Sequence, residues 1–282
     1  MRELLKMAYC YLGGEHDGKR LPYKMQVVNV PKRSRKLLSK IKKALTEKGI
    51  RYVFCFAIKI LLNQLKISFW YYYYKIFKSM ETFTFEGGTY NYFYHKYNTT
   101  WRNDRAVEIP IIWKIVKEHH NQQKRILEIG NVLSHYFAVN HTIVDKYEKA
   151  EGVINEDVVN FQSPKKYDLI VGISTLEHIG WDMGDRPRNP MKILQAIENL
   201  KSYLASSGKM VVTLPLGYNR IMDKLLNNSK IKFTKQYYLK RISRNNKWKE
   251  VDWNECRGVK YDFLHHSARV LIIGVYFKKG EE

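Results

Sequence analysis

The sequence predicts an α/β fold built on a doubly wound, mostly parallel sheet. Short apolar runs recur from residue 125 onward, at the spacing of alternating strands and helices. One of them, Tyr167-Asp168-Leu169-Ile170-Val171-Gly172-Ile173, is apolar at nearly every position rather than at alternate ones, which suits a parallel strand covered on both faces. Between two such runs, Pro190 to Leu204 carries apolar residues at helical spacing.

Taken in order, a helix from Ala106 to Glu118 precedes Arg125-Ile126-Leu127-Glu128-Ile129-Gly130-Asn131-Val132-Leu133-Ser134-His135-Tyr136. Here a strand delivers the chain to Gly130, and Asn131 and Ser134 lead towards a helix, the way nucleotide-type cofactors are received. Thr142-Ile143-Val144-Asp145 is a second strand ending in an acid 15 residues past Gly130, near where a carboxylate meets ribose hydroxyls in dinucleotide folds. Gly152-Val153-Ile154 is a third, with Asn155-Glu156-Asp157-Val158 at its carboxyl end. Residues 167–173 form the fourth, Gly208 to Pro215 the fifth, and Ala268 to Phe277 the last.

Upstream lies a basic helical extension, residues 1–81. Residues 1–30 show no sustained period. From Pro31, Lys32, Arg33, Arg35, Lys36, Lys40, Lys42 and Lys43 alternate with Leu37, Leu38, Ile41, Ala44 and Leu45, a basic amphipathic helix ending near Gly49. Tyr52 to Phe77 is apolar but holds Lys59, Asn63, Gln64 and Lys66, charges too central for a transmembrane helix. Residues 31–77 therefore either lie on an anionic membrane interface or pack as a helical cap on the domain that follows. Residues 82–110 are polar and aromatic, and Tyr97, Trp101, Arg102 and Arg105 suit either stacking on and neutralising a ligand or filling core and pairing with Asp104 and Glu108.

Of 282 residues, 45% are apolar and 14% aromatic, which excludes global disorder. Net charge is +22, and residues 1–85 hold 18 Lys/Arg against 5 Asp/Glu, a bias that favours polyanions or anionic lipid. Cys10, Cys55 and Cys256 have neither disulfide-framework nor metal-site spacing, so no metal is expected and a reducing cytosol is the natural compartment, with residues 31–77 at the inner face of the membrane in the interfacial reading.

The stretch 167–179, running from Tyr167-Asp168 through Ser174-Thr175-Leu176-Glu177-His178-Ile179, is similar to the fourth-strand motif of small-molecule class I S-adenosylmethionine (SAM)-dependent methyltransferases of the type 11-like group. The acid and glycine at Glu128 and Gly130 resemble that family's first motif, with Val132 and Ser134 standing at its second and third glycine positions. The resemblance covers residues 125–215. It implies a Rossmann-like, mostly parallel seven-stranded sheet over residues 82–282, with a core at 105–223, a basic insertion at 224–262 and a final strand at 268–277.

The resemblance also implies SAM as cofactor, with Glu128, Gly130 and Asn131 by its methionine end, Asp145 by the ribose, Asp157 and Val158 by the adenine, and Ser174 across from the sulfonium. Each acid has a plain structural alternative: Glu128 pairing with a lysine, Asp145 or Asp157 capping the next helix. SAM has no phosphate, so its carboxylate can be met by amides at a helix start, and Val132 is tolerable there. Methyl transfer is an in-line displacement that needs alignment and, for a protonated acceptor, a base. His178, just past the fourth strand, is the candidate base or else a structural part of its turn. Trp181, Asp182, Tyr218, Asn219 and Asp223 lie in loops on the same edge and suit a polar small-molecule acceptor such as a saccharide or a lipid-linked intermediate.

The basic stretch 224–262, with Trp248 and Trp253, also suits nucleic acid, as in an RNA methyltransferase. A methyltransferase-like scaffold without catalysis is the other alternative.

Overall fold

A computed structural model describes residues 32–181, 189 and 191–278. The chain forms two compact units, Met1–Tyr73 and Tyr74–Glu282. Of the first, the described part is helix α1 (Lys32–Phe77), which runs on as far as Phe77 and is broken at Gly49, where φ is 78° and ψ 164°. That backbone lies in the left-handed half of φ space, open to glycine at no steric cost. By length and composition Leu45–Phe77 suffices to cross a bilayer, an 18-residue window within it having a mean hydropathy of 1.4, although Lys59 and Lys66 argue otherwise in the sequence.

The second unit opens with a hairpin, β1 (Thr82–Phe85) and β2 (Gly88–Asn91), which the sequence pattern had left unassigned. A 3-10 turn (Tyr97–Arg102) leads into α2 (Arg105–Asn121). The strands β3 (Ile126–Ile129), β4 (Thr142–Val144), β5 (Val153–Ile154), β6 (Tyr167–Ile173) and β7 (Leu204–Pro215) are mutually parallel. Helix α3 (Lys192–Ser202) separates β6 from β7, and α4 (Arg220–Asn227) follows β7. Strands β8 (Lys235–Arg241), β9 (Trp248–Val251) and β10 (Val270–Phe277) complete one sheet in the order β5-β4-β3-β6-β7-β10-β8-β9.

The doubly wound, mostly parallel sheet expected from the sequence is thus present, with eight strands in place of seven. Within the basic stretch 224–262, β8 pairs antiparallel with β10 and β9 with β8, so these two strands form the sheet's far wing.

Alternation along β6 explains the two cores. Leu169, Val171 and Ile173 join α2 (Ile109, Ile112, Val116) and the hairpin's Phe83 and Phe85 on one face. Ile170 joins α3 on the other, where Ile193, Ala196, Ile197 and Leu200 repeat at three- and four-residue spacing. The chain runs from β3 outward to β4 and β5, then crosses back to β6 on β3's other side. The carboxyl ends of β3 and β6 therefore flank a topological switch point, where open α/β sheets leave a crevice.

Candidate functional site

A cleft of about 410 Å³ opens at this switch point, within the range of about 300–1,000 Å³ usual for ligand pockets. Gly130, Asn131 and Val132 line it from the loop after β3, Asp145 to Glu148 from that after β4, Glu156 to Val158 from that after β5, and Thr175, His178 and Ile179 from that after β6. Tyr97, Asn98 and Arg105 close it from the segment upstream of β3. Asn98 and Thr99 both have positive φ there, 55° and 41°, strained values for residues bearing a Cβ.

Gly130 has φ 82°, and a Cβ on it would sit 2.4 Å from Thr175 Oγ1 and 2.8 Å from Thr175 Cγ2. Glycine is required there twice over, by conformation and by the close approach of the β6 loop. The segment beyond it differs from expectation. A single 3-10 turn, Leu133–His135, follows instead of a helix, and the amides of Val132 and Leu133 donate to Glu128 Oε1 at 2.9 and 2.8 Å. The other Glu128 oxygen lies 2.7 Å from His141 Nε2. Glu128 is fully buried and holds the turn from beneath; it does not line the cleft, and the partner it takes is a histidine rather than a lysine. Those two amides are consequently not donors for a ligand carboxylate, and the Lys and Arg residues among the cleft's lining are Arg105 and Lys146.

Asp145 accepts three backbone amides, from Asn131 at 3.2 Å, Tyr147 at 2.8 Å and Glu148 at 2.7 Å. A carboxylate has about four acceptor positions, so roughly one remains for a ligand hydroxyl. Asn131 is tied to Glu148 Oε1 at 2.8 Å and accepts from the Ser134 hydroxyl. Burial would raise the pKa of Asp157, but Lys192 at 2.6 Å and Lys146 at 3.1 Å outweigh it and hold the carboxyl below its ordinary value. Val158 supplies a buried apolar wall.

Ser174 lies outside the cleft lining. Its hydroxyl donates to Glu108 Oε1 at 2.5 Å, and its amide donates to Thr213 Oγ1 at 2.9 Å. Glu108, fully buried on α2, also takes Thr213 Oγ1 at 2.6 Å and the Arg105 guanidinium, so one carboxylate ties α2 to β6 and β7.

His178 has a side chain 42% exposed, with Nε2 3.6 Å from Glu177 Oε1. Its ring meets Tyr218 edge-on at 4.8 Å, and Tyr218 in turn meets Tyr261 at 5.1 Å. Glu177 is buried, its Oε2 among the described side-chain atoms without a hydrogen-bond partner, and burial first, then the neighbouring Glu108, pushes its pKa well above the usual carboxyl range.

Of the acceptor candidates, Tyr218 sits beside His178, Trp181 follows it in the chain without lining the cleft, and Asp182 lies outside the described residues. Asn219 is corrected to a structural role: fully buried, it caps α4, its Oδ1 accepting from Ile221 and Met222 at 3.1 Å while Nδ2 donates to Glu177 O. Asp223 likewise turns inward to accept from the Gly217 amide at 3.0 Å. Trp101 is buried against Tyr74 rather than presented to a ligand.

Residues that the sequence reading missed include Thr175, His135, Glu148 and Glu156. Their signal was position alone, each lying within a few residues of a strand's carboxyl end.

No family model matches the chain, and no curated protein matches it. Among solved structures it is similar to the N-methyltransferase NodS from Bradyrhizobium japonicum WM9, at 13% identity over 64% of this chain and 94% of that one, with a TM-score of 0.36. It is similar to a TehB-like SAM-dependent methyltransferase from Corynebacterium glutamicum, at 14% identity over 60% of this chain and 95% of that one, TM-score 0.34. A third is CalS10, an amino pentose methyltransferase from Micromonospora echinaspora, at 12% identity over 43% of this chain and 57% of that one, TM-score 0.30.

Proposed function

We propose that this chain is a SAM-dependent methyltransferase acting on a small polar acceptor. The observation that carries the reading is the convergence of Gly130, Asp145, Asp157, Val158, Thr175 and His178 on one cleft at the switch point of the sheet. The donor set fits the cofactor: a spare acceptor position on Asp145 for a ribose hydroxyl, Val158 and Ile179 for an apolar ring, and the Arg105 guanidinium for a carboxylate. When bound, SAM supplies an electrophilic methyl group on a sulfonium.

The chain's own residues then have three tasks. The loops after β3 and β6, locked together at Gly130 and Thr175, fix the floor against which the acceptor is aligned. Tyr218, edge-on to His178 and packed against Tyr261, is the aromatic group nearest that base, on which a saccharide or another compact polar molecule can rest. The His178 imidazole would take the proton that the acceptor's oxygen or nitrogen sheds on methylation, the cofactor leaving as the neutral thioether when its methyl–sulfur bond breaks.

Isothermal titration with SAM and with its demethylated product tests the reading. Binding of both, weakened in Asp145→Ala, supports it; no binding of either at millimolar concentration overturns it. With an acceptor in hand, His178→Ala should lower kcat by about 10²- to 10⁴-fold while leaving SAM affinity in place.

A further inference from the structure

We infer that the first unit's helix lies flat in the surface of an anionic lipid leaflet, its apolar face buried among the headgroups and upper acyl chains. The inference goes beyond methyl transfer and does not depend on it. In α1, Phe54, Ile58, Leu62, Leu65, Phe69 and Tyr72 all stand exposed, with Phe54 at 65%, Leu62 at 59%, Leu65 at 58% and Phe69 at 64%. At 100° per residue these six fall within an arc of about 80°. They form a single apolar stripe, about 27 Å long from Phe54 to Tyr72. Water is a poor partner for such a face, and patches of this size mark a surface made to be covered.

The chemistry of the cover follows from charge. Residues 32–51 hold nine Lys/Arg against Glu47 alone, a cation cluster that anionic headgroups attract at about 1 kcal/mol per residue near the surface. Lys59 and Lys66, both exposed, lie along one border of the stripe. A helix in the plane of the leaflet lets both ammonium groups reach the headgroups along their own stems. Were the same helix to cross the bilayer, both would sit at depth, where a lysine is costly. Tyr72, within the stripe and exposed, is a side chain that favours interfacial depth.

Co-sedimentation of the full chain with vesicles tests this. Vesicles of equimolar phosphatidylcholine and phosphatidylglycerol should carry the protein down, and phosphatidylcholine alone should carry about tenfold less. High salt should weaken binding without abolishing it, because the apolar stripe persists. Leu62→Asp/Leu65→Asp/Phe69→Asp should lose binding at least tenfold with an unchanged circular dichroism spectrum; Leu65→Ser, a milder change on the same exposed face, should lose part of it even if the triple variant fails to fold. Alkaline carbonate should release the bound protein. Any of four results overturns the inference: equal binding to neutral vesicles; no binding to anionic ones; resistance to carbonate, which means a spanning helix; or a dimer in the absence of vesicles that Leu65→Ser makes monomeric, which means that a second copy covers the stripe.

Discussion

Gly130→Ala probes the contact on which the cleft's geometry depends. At φ 82° an alanine costs about 1–2 kcal/mol for its left-handed backbone. The new Cβ would stand 2.4 Å from Thr175 Oγ1 and 2.8 Å from Cγ2, so the loops after β3 and β6 must move apart; overpacking of this kind costs about 1–3 kcal/mol. Alanine restricts the unfolded chain and returns about 0.4–1 kcal/mol, leaving a net loss of about 2–4 kcal/mol. For a unit of this size that lowers Tm by roughly 4–16 °C, readable by scanning calorimetry.

Thr175→Ala removes both clashing atoms and leaves Thr175 Cβ at 3.2 Å. By itself it forfeits the hydroxyl's bond to Ile173 O at 3.1 Å, worth about 1 kcal/mol. The double variant should therefore be more stable than the two single losses summed, by about 1–3 kcal/mol. Losses that add to within about 0.5 kcal/mol would refute the claim that these two loops are in contact, and with it the account of the cleft floor.

Further expectations follow from the buried polar groups. Glu108→Ala strands the Arg105 guanidinium and two hydroxyls, so denaturant titration should show a loss of about 3–5 kcal/mol, with Glu108→Gln losing less because it still accepts from Ser174 and Thr213. Asn219→Ala removes the cap of α4 and should cost about 0.5–2 kcal/mol while SAM affinity by titration stays unchanged. Burial raises the Asp223 pKa to about 6 from 3.8, against the Gly217 amide that would lower it. The folded protein thus holds that proton more tightly than the unfolded chain, so this contribution to stability is full below pH 3.8 and is lost as pH rises through about 6. Asp223→Asn should flatten the slope of unfolding free energy over that window, measured in urea; an unchanged slope would assign it to other groups.

The parallel half of the sheet was legible because its signal is local. β6 is apolar at six of its seven positions in the sequence and buried at six, with Asp168 alone departing in both, and a glycine ends β3 where the chain must turn under Thr175. The far wing was not. β8 and β9 carry Lys235, Lys240, Arg241 and Lys249 beside Trp248, because strands near a sheet edge tolerate charge that a central strand does not, and that pattern looks like a solvated loop. Asp145 and Asn219 read alike as polar residues closing apolar runs. Only the coordinates separate a carboxylate that keeps an acceptor position facing a cleft from an amide consumed as a helix cap. Glu108 was invisible as a hub because its partners lie 66 and 105 residues away.

The ends of the sheet carry a last consequence. On one side β5 is only two residues long. On the other, β9 offers Lys249 and Glu250 along its length, and the Trp248 amide is already spent on the Tyr92 hydroxyl at 2.8 Å. A neighbouring molecule seeking to extend the ladder finds too short a template at one margin and a charged, partly occupied one at the other. Crowded at high concentration, this unit should resist runaway strand addition, and part of the chain's surplus of lysine then guards against self-association rather than serving any ligand.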